Sequence, residues 1–322
     1  MNEFELIDRY FRRAVRDPAV RVGVGDDAAI VVPAPGCELA LAVDMLVEGR
    51  HFLPGVDPAT LGHKTLAVNL SDMAAMGATP RWALLGGALP DDDAEWLAAF
   101  AGGLFALAAR FSVALVGGDT TRGPRNLCLT IVGELPAGTA LTRSGARAGD
   151  DVHVSGRLGD AALALAALQG RTRLDAAALA ALQRRLDAPE PRVALGQRLR
   201  GVAAAAIDVS DGLVGDLGHI LAMSQVGAEV DLPLVPRAPA LDARLRDDER
   251  DLALACLLAG GDDYELLFTA PPSARARLAA IAVELSLPIT RIGRIVAGTG
   301  LVVRGEDGTP LAELPQAFDH FR

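Results

Sequence analysis

Cysteine, lysine and long apolar runs are scarce in this sequence. Its three cysteines, Cys37, Cys128 and Cys256, are scattered, with no CxxC pair and no zinc-type spacing. So sparse and odd a set excludes a disulfide framework and suits a reducing cytoplasm. Each cysteine reads as a small buried apolar residue. The longest uncharged apolar stretch, Trp96 to Ala109, has 14 residues. A membrane span needs ~20, so this is expected to be a buried helix. Met1 to Arg13 is charged and has no signal-peptide apolar core. Basic excess is lacking too: 31 Lys and Arg stand against 41 Asp and Glu, a net charge of −10. That argues against a general nucleic-acid binder, which needs a basic face. Repeats of fixed period are absent.

Of the 31 basic residues only Lys64 is lysine. Elsewhere arginine has taken the role. The survivor marks either a place that needs a compact ammonium or chance retention on a solvated helix face.

With 322 residues and 51% hydrophobic content, the chain has length for about two domains and apolar side chains for their cores. Strands and helices alternate. Ala29–Val32 and Glu38–Asp44 read as strands. Asp57-Pro58 opens a helix to Met76 that Gly77 closes. Arg81–Leu89 reads as a strand and Asp91–Arg110 as an amphipathic helix with acids in its first turn. Strands follow at Val113–Val116 and Leu127–Leu135. Pro136–Gly149 is a candidate linker, which sets the domains at 1–138 and 139–322. The second half restarts with strand Asp151–Ser155. Helices are expected near 160–169, 175–187, 192–201, 212–226 and 273–286, and strands near 205–209, 228–231, 264–269 and 289–295. Such alternation implies α/β or α+β layers in both domains.

The aspartates carry the chemical signal. Asp26 and Asp27 sit in a Gly-rich turn, and Asp44 and Asp119 end apolar runs. Asp72 lies on the helix from Pro58. Asp208 and Asp211 bracket Val209-Ser210, and Asp262-Asp263 follow Gly260-Gly261. A carboxylate just past a buried strand points at the sheet edge where α/β proteins bind ligands. Any one of these is an ordinary turn residue. Together, without Cys or clustered His, they suit a hard divalent cation. Gly23 to Ala28 fits the dinucleotide fingerprint, but the following residues read as strand, not helix. Gly62-His63-Lys64-Thr65 lacks P-loop spacing. Ser155 to Asp160 is a weaker strand-to-helix anion signal. No nucleophile with a partnering base is evident. Many carboxylates without a nucleophile fit phosphoryl transfer, which relies on metal and positioning.

Six motifs in order carry a resemblance: Gly25-Asp26-Asp27-Ala28, Asn69 to Gly77, Gly117-Gly118-Asp119-Thr120-Thr121, Leu141-Thr142-Arg143-Ser144-Gly145, Asp208 to Leu213, and Gly260 to Leu266. The chain resembles the thiamine-monophosphate kinase family of the aminoimidazole ribonucleotide synthetase-like superfamily, end to end as far as Phe318-Asp319-His320-Phe321. The resemblance implies an α/β N-terminal domain whose sheet pairs across a homodimer, followed by an α+β domain. It implies direct transfer of the ATP γ-phosphoryl group onto thiamine monophosphate, assisted by several Mg²⁺ ions. By motif, Asp27, Asp44, Asp72, Asp119, Asp208 and Asp211 would hold Mg²⁺. Gly118, Asp119, Arg143 and Ser210 would contact ATP, and His51, Asp262 and Phe318 the thiamine substrate. Ala42 and Val43 depart from the hydroxyl residues that precede the aspartate in relatives, so metal contact there would use backbone oxygen. Aminoimidazole ribonucleotide synthetase is the enzyme alternative, and a non-enzymatic divalent-metal module the other. No nucleic acid and no membrane are expected as partners.

Overall fold

The computed structural model describes residues 3–317, so Phe318 lies outside the described residues. Two compact units make up the chain. One runs through Met73 and resumes over Ala78–Ala140; the other takes Ala74–Gly77 and the chain from Leu141 onward. Both combine helices and sheet, as the alternation implies.

In the first unit a two-stranded ribbon, β1 (Val20–Val22) and β2 (Ile30–Val31), precedes a four-stranded sheet. The sheet strands are β3 (Cys37–Val47), β4 (Thr79–Leu89), β5 (Ala114–Arg122) and β6 (Asn126–Pro136), in the order β3-β6-β4-β5. Edge strand β3 alternates. Leu39, Leu41, Val43 and Met45 are exposed, while Leu46 is buried. The cysteine expectation holds for buried Cys256 but needs correcting for Cys37 and Cys128, which are only half-buried; all three are free thiols.

Helix Pro58–Ala75 starts where Asp57 accepts a hydrogen bond from the Thr60 amide at 2.8 Å. Helix Ala94–Phe111 starts later than its acids suggest: Asp93 is its cap, accepting from the amides of Glu95 and Trp96. By length and composition alone this helix would pass as a membrane span. Here it buries Leu97, Phe100, Leu104 and Leu107. The two helices meet glycine to glycine. A Cβ on Gly103 would lie 1.8 Å from the Ala59 carbonyl oxygen, and one on Gly62 would lie 2.0 Å from that of Phe100. Only glycine allows that approach.

The second unit carries a six-stranded sheet of β7 (Asp151–Ser155), β8 (Ala205–Val209), β9 (Gly227–Asp231), β10 (Glu265–Ala270), β11 (Ile289–Val296) and β12 (Gly300–Arg304). Its order is β12-β9-β11-β7-β10-β8. β7, β8 and β10 are buried along their whole length. Helix Arg250–Ala259 and strand β12 were not expected from the sequence. The helix has no side-chain cap to announce it, and β12 is recruited by parallel pairing with β9.

His153 on β7 is buried and stacks on Phe268, ring centroids 5.3 Å apart. Neither ring nitrogen has a hydrogen-bond partner among the described residues. Burial pushes its pKa down from 6.5 to about 4, with Asp151 opposing the shift and Arg291 and Arg275 adding to it. The unfolded chain therefore binds a proton that the folded one refuses. Stability should fall as pH drops from 6.5 toward 4, at up to ~1.4 kcal/mol per pH unit and about 3 kcal/mol in all. Asp151 adds a separate loss at lower pH. Hydrogen bonds from Arg275, then Arg291, hold it down at about 2 against burial. Urea unfolding at pH 7 and pH 5 should show a smaller pH effect in His153→Phe than in the parent. An equal effect in both would remove His153 as the cause.

Candidate active site

In the first unit, Gly117-Gly118-Asp119 lies within edge strand β5, so Asp119 sits inside the strand and not past its end as the apolar run before it suggests. Gly118 has φ +151°, and a Cβ there would sit 2.0 Å from the Leu85 carbonyl oxygen. No other residue lets β5 lie this close to β4, and the next residue, Asp119, is exposed. The loop before β2 brings Asp26 and Asp27 to the same place. With Gly118 and Asp119 they line a cleft of about 710 Å³. Asp27 is exposed, and its amide donates to Asp26 Oδ1 at 2.9 Å. The cleft's apolar wall includes Leu84, Trp96 and Phe100. Because strand β2 follows the Gly23–Ala28 loop, a dinucleotide fingerprint fails here, as its sequence context implies.

Asp44 does not join this cleft. Its register is with Leu129 on β6, and the sheet order places β3 and β5 on opposite edges. With two strands between them, the backbones of Asp44 and Asp119 stand roughly 14 Å apart. Asp72 is half-buried on helix Pro58–Ala75. His51 is half-buried in the turn after β3, where its Nδ1 accepts from the Val47 amide at 3.0 Å.

In the second unit, Asp208 is the penultimate residue of β8, and Ser210, Asp211 and Gly212 lead into helix Leu213–Ser224. Asp216 was missed in the sequence. Its Oδ2 accepts from the amides of both Ser210 and Asp211 at 3.1 Å, which shapes that turn. Burial, then the charges of Asp208 and Asp211, push its pKa up to about 7, against the two amides. Asp-x-Ser-Asp followed by a third carboxylate five residues on was its only signal.

The Gly260–Tyr264 loop docks on the same turn. The amide of Asp262 donates to the Ser210 carbonyl at 2.9 Å and that of Tyr264 to Val209 at 2.8 Å. Asp262 and Tyr264 both have positive φ, +68° and +50°. Such strain persists only where neighbours enforce it, and it gathers at functional sites. The anchors are the flanking acids. Buried Asp263 accepts from the Gly159 amide at 2.8 Å, and burial pushes its pKa well up. That carboxyl oxygen occupies the Ser155–Asp160 turn, where the sequence suggests an anion, so the turn's Gly159 amide is satisfied by the protein itself. Glu265, with no exposed surface, accepts from Ser155, Arg185 and Arg192. The Tyr264 hydroxyl donates to Asp262 Oδ1 at 3.0 Å, which orients that carboxylate. Tyr264 too was missed; an unremarkable residue type hid it. Arg143 is exposed, and its carbonyl accepts from Ser224 Oγ.

Among the described residues no three His, Cys, Asp or Glu side chains converge to hold a metal ion. Instead the carboxylates come in small sets, Asp27 with Asp119 and Asp208 with Asp211. This donor chemistry fits Mg²⁺, which takes one or two carboxylates and fills the rest of its shell with substrate phosphates and water.

The family model for the AIR synthase related protein N-terminal domain matches residues 25–135, and that for the C-terminal domain matches residues 147–306. The chain is 47% identical over 322 residues to a thiamine-monophosphate kinase of Escherichia coli K12, covering 99% of this chain and 98% of that one. A crystal structure of thiamine-monophosphate kinase from Stenotrophomonas maltophilia K279a superposes with a TM-score of 0.87 at 47% identity, covering 97% of this chain and 98% of that one. AaThiL complexed with AMPPCP and TMP superposes at 0.78 with 32% identity, covering 90% and 89%.

Proposed function

Because this chain belongs to the thiamine-monophosphate kinase family of AIR synthase related proteins, we propose that it transfers the γ-phosphoryl group of ATP to thiamine monophosphate, giving thiamine diphosphate and ADP. The protein is a phosphotransferase. The observation that carries the substrate assignment is identity of 47% over essentially the whole chain to a named kinase of this substrate. AaThiL bound to AMPPCP and TMP supports the pairing, since AMPPCP is ATP with a methylene in place of the β–γ bridging oxygen.

The acceptor is already an anionic phosphate, so transfer onto it needs no general base. The obstacle is repulsion between two polyanions. When bound, Mg²⁺ would supply charge neutralisation of the phosphates and align them. Asp27 and Asp119 would hold it in the first unit, and Asp208 and Asp211 in the second; Asp72, and Asp44 at the opposite sheet edge, would serve separate ions. Gly118, where no side chain intervenes, Arg143 and Ser210 would receive ATP. His51 and Asp262 would contact the thiamine substrate, and Phe318 would stack on its cationic ring. In this reading residues 1–138 form the α/β domain that dimerises and binds metal and ATP, and 139–322 form the α+β domain. The exposed apolar row Leu39, Leu41, Val43 and Met45 on edge strand β3 supports a homodimer, because an uncovered apolar edge invites pairing. A cytoplasmic setting suits the three free thiols.

The test is ADP release from ATP and Mg²⁺. Thiamine monophosphate should stimulate it at least tenfold, and chelation with EDTA should abolish it. ADP release that ignores thiamine monophosphate but responds to a formylglycinamidine ribonucleotide would overturn the assignment in favour of an aminoimidazole ribonucleotide synthetase.

A further inference from the structure

We propose that Lys64 is a positioning residue: it pins the turn that carries His51, so that the imidazole meets the acceptor phosphate with its Nε2–H. The inference rests on the thiamine-monophosphate kinase reading, and the residues that carry it all belong to the first unit.

Lys64 is 3% exposed, the most deeply buried of the lysine and arginine side chains among the described residues. The single lysine of an arginine-rich chain therefore stands where, among the described residues, a cationic side chain is buried most deeply. An ammonium is compact and tetrahedral, whereas a guanidinium is a broad planar fork that needs more room. Burying either costs several kcal/mol unless polar partners compensate. A position that keeps such a group has a use for it.

The use lies at the end of β3. Lys64 Nζ donates to the backbone carbonyl oxygen of His51 at 3.4 Å, across 13 residues of sequence. Within the turn, His51 and Val47 are bonded in both directions. The His51 amide donates to the Val47 carbonyl at 3.0 Å, and the Val47 amide donates to His51 Nδ1, also at 3.0 Å. The Gly49 amide closes the turn on the Phe52 carbonyl at 2.8 Å. A ring nitrogen that accepts from an amide carries no proton, so the ring proton resides on Nε2. The turn thus selects one tautomer and one ring direction. Lys64 holds that turn to helix Pro58–Ala75, whose core residues Leu61, Leu66 and Leu70 are at most 2% exposed. The result is an oriented ring whose Nε2–H suits a phosphate oxygen, on a turn that Lys64 bonds at the His51 carbonyl.

Two variants and one spectrum test this. Lys64→Met keeps an unbranched side chain of similar length without charge; Lys64→Arg keeps the charge in a larger shape. Both should raise KM for thiamine monophosphate at least tenfold and leave KM for ATP within twofold. In a His51→Ala background Lys64→Met should add nothing further, since positioning acts only through His51. Ring ¹⁵N shifts of the substrate-free protein should show His51 with Nδ1 bare and Nε2 protonated in the parent, and a tautomer mixture in Lys64→Met. A parental KM for thiamine monophosphate in either folded variant, an additive loss in the double variant, or an unchanged tautomer would each overturn the proposal. Should the parent not phosphorylate thiamine monophosphate, the functional reading fails, while the ring spectrum still decides whether Lys64 sets the tautomer.

Discussion

Asp119→Asn should lower kcat by about 10²–10³-fold while leaving the melting temperature within about 2 °C of the parent. The two halves of that expectation have different origins. Asp119 is exposed within edge strand β5, so an isosteric amide leaves packing intact. Its neighbour Gly118, not Asp119, makes the close approach to Leu85. What the substitution removes is a negative charge in a cleft shared with Asp27. An amide oxygen is a far weaker ligand for a hard divalent cation than a carboxylate. The apparent Mg²⁺ requirement should therefore rise along with the loss of turnover. ADP release across a Mg²⁺ titration, beside a thermal melt, checks both. A variant with more than a tenth of parental turnover at low Mg²⁺ would rule out a metal-holding role for Asp119.

Glu265→Ala should cost about 3–5 kcal/mol of stability, enough to consume much of a typical domain's margin. Glu265 is the convergence point of three elements. Ser155 Oγ reaches it from β7 at 2.6 Å, Arg192 Nε at 2.7 Å, and Arg185 from the helix Ala176–Asp187. Removing the carboxylate strands two largely buried guanidiniums and a buried hydroxyl in the same step. The site should feel it as well. Glu265 directly follows the strained Asp262–Tyr264 segment and, with Asp263, anchors it. Denaturant unfolding should show the midpoint fall with little change in slope, and any folded fraction should bind thiamine monophosphate weakly. A loss below about 1 kcal/mol would mean that the arginines find other partners.

Neither partner of Glu265 is visible in the sequence near it. Arg185 and Arg192 lie 80 and 73 residues away. The same holds for Asp216, whose role depends on a turn five or six residues back folding over it. Local signals, by contrast, were readable. Asp57 and Asp93 cap helices, Gly77 ends one, and apolar runs mark the strands, because capping and side-chain periodicity act over a few residues. Boundaries slipped where local chemistry was ambiguous. The acids Asp91 and Asp92 lie ahead of their helix rather than inside it, and helix Arg250–Ala259 lacks a capping side chain.

For the candidate site the division is similar. The sequence by itself determined the kinds of group available: many carboxylates, glycines beside them, no nucleophile, one lysine; that Asp44, Asp119 and Asp208 lie inside strands and not past them came from the structure. It also carried the family, because ordered motifs are a property of the chain. Tertiary structure alone decided which groups meet. Sheet order put Asp27 and Asp119 in one cleft and sent Asp44 to the opposite edge. Burial left His153 without partners and enclosed Lys64 behind His51. The reason is physical. Residue type and short-range spacing act through local backbone geometry, whereas proximity, desolvation and charge compensation depend on strand order and packing between residues far apart in the chain.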